Sequence, residues 1–196
     1  MIGKCSSINT AAIERPEFIS EAASDFGSST IVVAIEVIRQ DDGSFLCFTN
    51  CGREHTGVEA VSWAQRAASL GAGELVVTSV DREGTGRGFD IELTRRISSS
   101  VAIPVIAHGG AGSIEHVAQV LSEGQSDAVA VASMLHYDAV KTLPFNPSDY
   151  EDEGNTEFLR HRRHEGFKRV HDCNLGALKA GLKERGLSPR LEATHG

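Results

Sequence analysis

The residues best suited to chemistry stand at the ends of short apolar runs. Glu36 closes the run TIVVAIEV at 30–37. Thr78 and Ser79 close ELVVTSV at 74–80, and DREGTGRG at 81–88 follows with Glu83 and Gly84. His108 ends IPVIAH at 103–108 and opens His108-Gly109-Gly110-Ala111-Gly112. Ser133 ends DAVAVAS at 127–133, and Asn9-Thr10 follow CSSI near the start. A glycine loop leaves main-chain N–H groups unobstructed, and a helix N-terminus behind it adds about half a positive charge. Such a loop at Gly109-Gly110 is suited to phosphate, with the Ser133 hydroxyl beside it. Tight-turn glycines would look the same. REGTGRG with Asn9-Thr10 could cradle a second anion, and two such sites on one face suit a substrate with a phosphate at each end. Between them Glu36 and Glu83 offer carboxylates for general acid–base work. A core-edge ion pair is the plainer role for Glu36, and a solvated loop acid for Glu83. His108 could donate to an oxyanion, shuttle a proton, or simply occupy a turn.

These residues need elements to position them. The β-branched runs at 30–37, 74–80, 103–108 and 127–133 predict strands buried on both faces, with a strand end at 5–9. Amphipathic patterns predict helices over 14–26, 57–70, 90–97, 114–121 and 175–185, with Pro16 in the first turn of the first. Ser113 suits the N-cap of the fourth, and Gly124 lies just past its end. Strands alternating with helices make a parallel sheet with right-handed crossovers, and ligands then meet the carboxyl ends of the strands. Two stretches depart from the alternation. Residues 37–56 predict a hairpin around Asp42-Gly43, and 138–169 is a long polar insertion before the last helix. We expect one domain over 1–196.

Composition narrows the class. The chain has 196 residues, 40% hydrophobic and 23% charged, with a net charge of −8. The acidity is concentrated in residues 1–150, which argues against nucleic acid as the ligand. The basic run RHRRHEGFKR reads as a solvated face or a patch for RNA or an acidic partner. No apolar run reaches the roughly 20 residues of a membrane helix, and the N-terminus has no apolar leader, so a cytoplasmic location is expected. Cys47 and Cys51 are spaced unlike a metal or redox pair, and reduced thiols are the expectation for all four cysteines. No metal or other cofactor is called for.

Five motifs, SINTAAIERPEFI, VVAIEV, GAGELVVTSVDREGTGRGFDIEL, VIAHGGAGSIEHV and AVAVASMLHY, occur in the order of a known family. The chain resembles the second half of the HisF family, the cyclase subunit of imidazole glycerol phosphate synthase, over about residues 3–140 and the last helix. The resemblance implies a (β/α)8 barrel, of which the chain supplies a partial α/β barrel of about five parallel strands, numbers four to eight, with flanking helices. It implies ammonia-dependent ring closure on a bis-phosphate substrate in histidine biosynthesis, with a HisH-like glutaminase as partner. Asn9, Thr10, Glu83, Gly84, Gly109, Gly110 and Ser133 match phosphate-binding positions. Thr78 and His108 lie near the reacting centre, and Glu36 stands at the second catalytic aspartate. Glu74 matches an acidic residue at the ammonia entrance.

The sequence departs from the family pattern at Glu36 for aspartate, His108 for serine and Glu83 for aspartate. A catalytic aspartate of strand one has no counterpart here. The insertion resembles that of the HisF-like WbuZ group, linked to amidation of surface-polysaccharide sugars. That role and a non-catalytic phosphate-binding half-barrel are the alternatives. A complete barrel needs roughly 250 residues, so about three units are missing. Five such strands cannot close and leave open edges. A homo-oligomer or a barrel-completing partner is therefore expected.

Overall fold

The computed structural model describes residues 6–142 and 169–190. The elements are β1 (Ser6–Ile8), α1 (Thr10–Glu14), α2 (Glu17–Phe26), β2 (Ile31–Arg39), β3 (Phe45–Thr49), β4 (Glu54–Glu59), α3 (Ala60–Ser69), β5 (Glu74–Ser79), α4 (Ile91–Ser98), β6 (Val105–His108), α5 (Ile114–Ser122), β7 (Ala128–Ala130), α6 (Ser133–Thr142) and α7 (Leu175–Glu184). One seven-stranded sheet holds all the strands, in the order β4-β3-β2-β5-β6-β7, with β1 also pairing β2. β1, β2, β5, β6 and β7 run parallel. This is the expected partial-barrel arrangement of five parallel strands and flanking helices.

Alternation along the strands separates two faces. Val33, Ile35, Val37, Leu75, Val77 and Val105 are all at most 1% exposed. They form one core with Ile19 of α2, Trp63, Ala64 and Ala67 of α3, and Leu93 and Ile97 of α4. Ala107 packs with Val117 and Val120 of α5 and Leu178 and Leu182 of α7. The opposite face carries Ala34, Glu36, Val76, Ile106, His108, Ala128 and Ala130, and all are only half-buried. The runs predict strands buried on both faces, whereas the described helices cover one. The uncovered face is the one that lines the interior when such a sheet closes into a barrel.

Several boundaries differ from the sequence expectations, each for a local reason. The expected helix over 14–26 starts only at Glu17 as α2, and a separate short helix, α1, precedes it; Pro16 removes an N–H and steers Arg15 out of helical backbone between them. The helix expected from Gly57 starts at Ala60, since Glu59 caps it through Val61 and Ser62 N–H. Burial opposes the Glu59 charge, but the N–H groups of Ser62 and Val61 outweigh it and hold the carboxyl below its ordinary range. The expected 138–169 insertion begins as a continuation of α6, which runs on to Thr142. Residues 143–168 lie outside the described residues.

The expected hairpin is present and larger than a single turn. β2 continues past Glu36 to Arg39 and turns through residues 40–44, where Gln40 N–H donates to Ser44 O at 2.8 Å and Gly43 N–H to Gln40 O at 2.9 Å. The Asp42 carboxylate accepts from Ser44 N–H and Oγ–H at 2.9 and 2.7 Å. β3 returns antiparallel to β2, and β4 pairs with β3. Glu92 of α4 bridges Arg39 and Arg96, whose guanidinium groups lie 5.3 and 5.4 Å from the Phe45 ring. The hairpin is thereby tied to α4. Cys47 lies in the core, where burial first and the Glu59 charge second push its thiol up to about 12. Cys51 is exposed.

Ile35, fully buried in the centre of β2, tests this core. Ile35→Ala is expected to cost about 2–5 kcal/mol of stability, read from urea unfolding beside the wild type.

Candidate active site at the strand carboxyl ends

Strand register places the candidate side chains. Glu36 pairs with Thr78, Thr78 with His108, and His108 with Ala130. Paired residues of parallel strands point to the same face, so these four form one row across β2, β5, β6 and β7, with Thr78 buried and Glu36, His108 and Ala130 half-buried. Thr78 Oγ1 and His108 Nδ1 are 3.0 Å apart. Either the hydroxyl donates to a bare Nδ1, or a protonated Nδ1 donates to the hydroxyl. Glu36 Oε2 accepts the Gly52 N–H at 2.9 Å. Glu36, Thr78 and His108 are therefore brought together as three neighbours in a line.

A pocket of about 180 Å³ opens beside the row, lined by Glu83, Gly84, His108, Gly109, Gly110, Ala111, Ala130, Ala132 and Ser133. A single water needs roughly 10–15 Å³ by the same kind of measure, so a polyatomic anion has room. The loop turns its carbonyls inward: Gly110 O accepts from Gly88 N–H and Gly112 O from His171 N–H, both at 2.8 Å. The N–H groups of Gly109, Gly110 and Ala111 have no backbone acceptor among the described residues. α5 and α6 both begin at this end, with Ser113 Oγ capping α5 at His116 N–H. The two helix N-termini add partial positive charge at this end, against the Glu83 carboxylate in the lining.

The placement of the second glycine loop corrects an expectation. Residues 82–88 were expected to share a second anion site with Asn9-Thr10, but Glu83 and Gly84 line the same pocket as Gly109-Gly110. The reason is backbone packing between adjacent strands β5 and β6. Gly88 N–H bonds Gly110 O, and a Cβ on Gly110 would run into the Gly88 carbonyl oxygen. Gly110 also has φ +102°, so only glycine meets both conditions. Asn9 and Thr10 stand apart, at the mouth of β1. Asn9 Oδ1 is buried without a partner, and Thr10 Oγ1 accepts from Asn50 N–H at 3.4 Å. β1 and β6 are three strand spacings apart, roughly 15 Å along the sheet.

Two functional groups have little signal in the sequence. One is the Gly52 N–H on Glu36, a main-chain donor that no side-chain pattern announces. The other is His116, which lies under the glycine loop and takes Gly112 N–H on Nδ1 at 3.2 Å. Its place in the turn after Ser113 is the one clue. Burial and then the nearby His171 hold the His116 imidazole below its ordinary value, with Glu115 pulling the other way. A bare Nδ1 is what the Gly112 contact requires.

The fold and this site define an α/β protein of the partial (β/α)8-barrel class, with a polar site at the carboxyl ends of its parallel strands. The chain belongs to the histidine biosynthesis protein family, whose model matches residues 3–141. It is similar to the imidazole glycerol phosphate synthase subunit HisF of Alkaliphilus metalliredigens (strain QYMF), with 51% identity over 145 residues. That match covers 74% of this chain and 58% of the relative. The chain thus spans little more than half the length of the curated relative it matches. The family resemblance seen in the five motifs is borne out, and the match ends at α6. Among the described residues no helix is long and apolar enough to cross a membrane.

The depressed His116 gives a pH dependence with a definite sign. The unfolded chain takes up the proton first, so the stability from neutral His116 is complete above about pH 6.5 and is lost as pH falls through the lower folded value. Thermal melts from pH 7.5 to 5 should therefore fall more steeply for the wild type than for His116→Gln, which keeps an acceptor without titrating.

Proposed function

We propose that the chain performs the cyclase chemistry of the HisF family: ammonia-dependent imidazole ring closure on a bis-phosphate substrate in histidine biosynthesis. The observation that carries this reading is the single row of Glu36, Thr78 and His108 beside a pocket with three main-chain amides that have no backbone acceptor among the described residues. One phosphate would sit on Gly109, Gly110 and Ala111, with Ser133 and Gly84 at its sides. His108, with Thr78 donating to Nδ1, would present Nε2–H to it. The other phosphate would meet Asn9 and Thr10. The reacting centre then lies over Glu36, which acts as general acid–base. Glu74, Val76 and Thr78 share one face of β5, with Glu74 at the amino end. That line supports entry of ammonia from the opposite mouth, delivered by a HisH-like glutaminase. Completion of the barrel by a second copy or another polypeptide would cover the half-buried inner face. A cytoplasmic location accords with this reading.

The test is turnover of the bis-phosphate substrate with ammonium salt, then with glutamine and a glutaminase partner. The wild type should turn over in both. Glu36→Gln should lower kcat by about 10²- to 10⁴-fold, the usual worth of a general acid–base. Gly110→Ala should chiefly raise KM. A well-folded protein that binds the bis-phosphate and shows no ammonia-dependent turnover would overturn the reading in favour of a non-catalytic phosphate binder. Release of an amidated sugar instead would favour the polysaccharide role.

A further inference from the structure

The hairpin's second turn, between β3 and β4, is built from left-handed backbone that also brings a main-chain N–H to the candidate site. Asn50, Cys51 and Gly52 take left-handed backbone in succession, with φ of 51°, 59° and 74°. Residues with side chains persist there when their surroundings over-determine them, and such strain gathers at functional sites. Here the surroundings are the candidate site. Gly52 N–H donates to Glu36 Oε2 at 2.9 Å, and Asn50 N–H reaches Thr10 Oγ1 at 3.4 Å. Gly52 is wedged as well: a Cβ there would lie 2.8 Å from Val80 Cγ1. Val80 is itself fixed, its N–H bonding Val37 O at 3.0 Å in the extension of the β2–β5 pairing. The pairing that sets Thr78 beside Glu36 thus also sets the depth of Gly52.

We propose that Gly52 is a positioning residue for the proposed cyclase reaction, its N–H fixing one carboxylate oxygen of Glu36 so that the other is aimed along the row toward Thr78 and His108. The proposal rests on the functional reading above and gives the hairpin its role in it. A glutamate at a strand mouth has one more rotatable bond than an aspartate. A charge-assisted hydrogen bond from rigid backbone restrains it. A carboxylate displaced by about an ångström from a reacting atom loses up to roughly 10²-fold in rate.

Gly52→Ala is expected to lower kcat by about 10- to 100-fold with little change in KM. In a Glu36→Asp background, where the shorter carboxylate does not reach the Gly52 N–H, the same substitution should cost nothing further. A merely structural glycine would cost the same factor in both backgrounds, and that result would overturn the proposal. A second measurement does not depend on the variant folding. In protein labelled with ¹⁵N-glycine, the Gly52 amide proton should lie downfield in the wild type and move upfield in Glu36→Gln. An unmoved resonance would also overturn it. Turnover with an additive cycle sinks the proposal alone, whereas a wild type without turnover sinks the functional reading and the proposal with it.

Discussion

In-register pairing of the parallel strands is the constraint on which the site depends. Side chains alternate faces with a period of two, so a slip of one residue would send an entire strand's set to the other side. The register Glu36–Thr78–His108–Ala130 puts three polar residues and the pocket's alanine wall on one face. The same register puts Val37, Val77 and Ala107 in the core on the other. The apolar face penalises any slip, because burying Glu36 or His108 under α3 to α5 without partners would be costly. Core packing therefore holds the chemistry in line without any direct contact to it.

The glycine loops extend that logic into the backbone. At the mouths of β5 and β6 two loops lie main chain against main chain, with Gly88 N–H on Gly110 O and Gly86 against Gly112. The first contact occupies the Gly110 carbonyl, and the N–H groups of Gly109, Gly110 and Ala111 have no backbone acceptor among the described residues. Polarity here is a matter of hydrogen-bond accounting: buried polar groups seek partners, and the carbonyls of Gly110 and Gly112 already have theirs. His116 belongs to the same account, since its bare Nδ1 satisfies Gly112 N–H from below. This is why side chains contribute so little to the pocket and why the loop reads in sequence as nearly empty.

Much of this was legible because the signals were local. Continuous β-branched runs marked the strands, and residues at their ends marked the row from Glu36 to His108. Ser113 stood where α5 begins and caps it, whereas Asp90, expected inside its helix, turns out to cap α4. The failures were of longer range. Nothing in REGTGRG says whether it pairs with Asn9-Thr10 or with Gly109-Gly110, since that depends on which strands are neighbours. Gly57 to Glu59 fit a helical pattern, yet pairing of β4 with β3 claimed them as strand. The both-face burial suggested by VVAIEV reflects a fold in which the second face is also covered, and within the described residues only one is.

The glutamate at position 36 brings these strands of argument together. A glutamate at the position that the resemblance sets against an aspartate would be a loss of precision if the side chain hung free. In this chain it does not: β2 runs on three residues past Glu36, the hairpin folds back over it, and the returning turn offers a main-chain N–H at 2.9 Å. Phe45, clasped between Arg39 and Arg96, anchors that hairpin to α4. On the positioning role proposed for Gly52, the length of the side chain and the anchored turn are complementary. The substitution is better understood as one half of a paired arrangement than as erosion of a site.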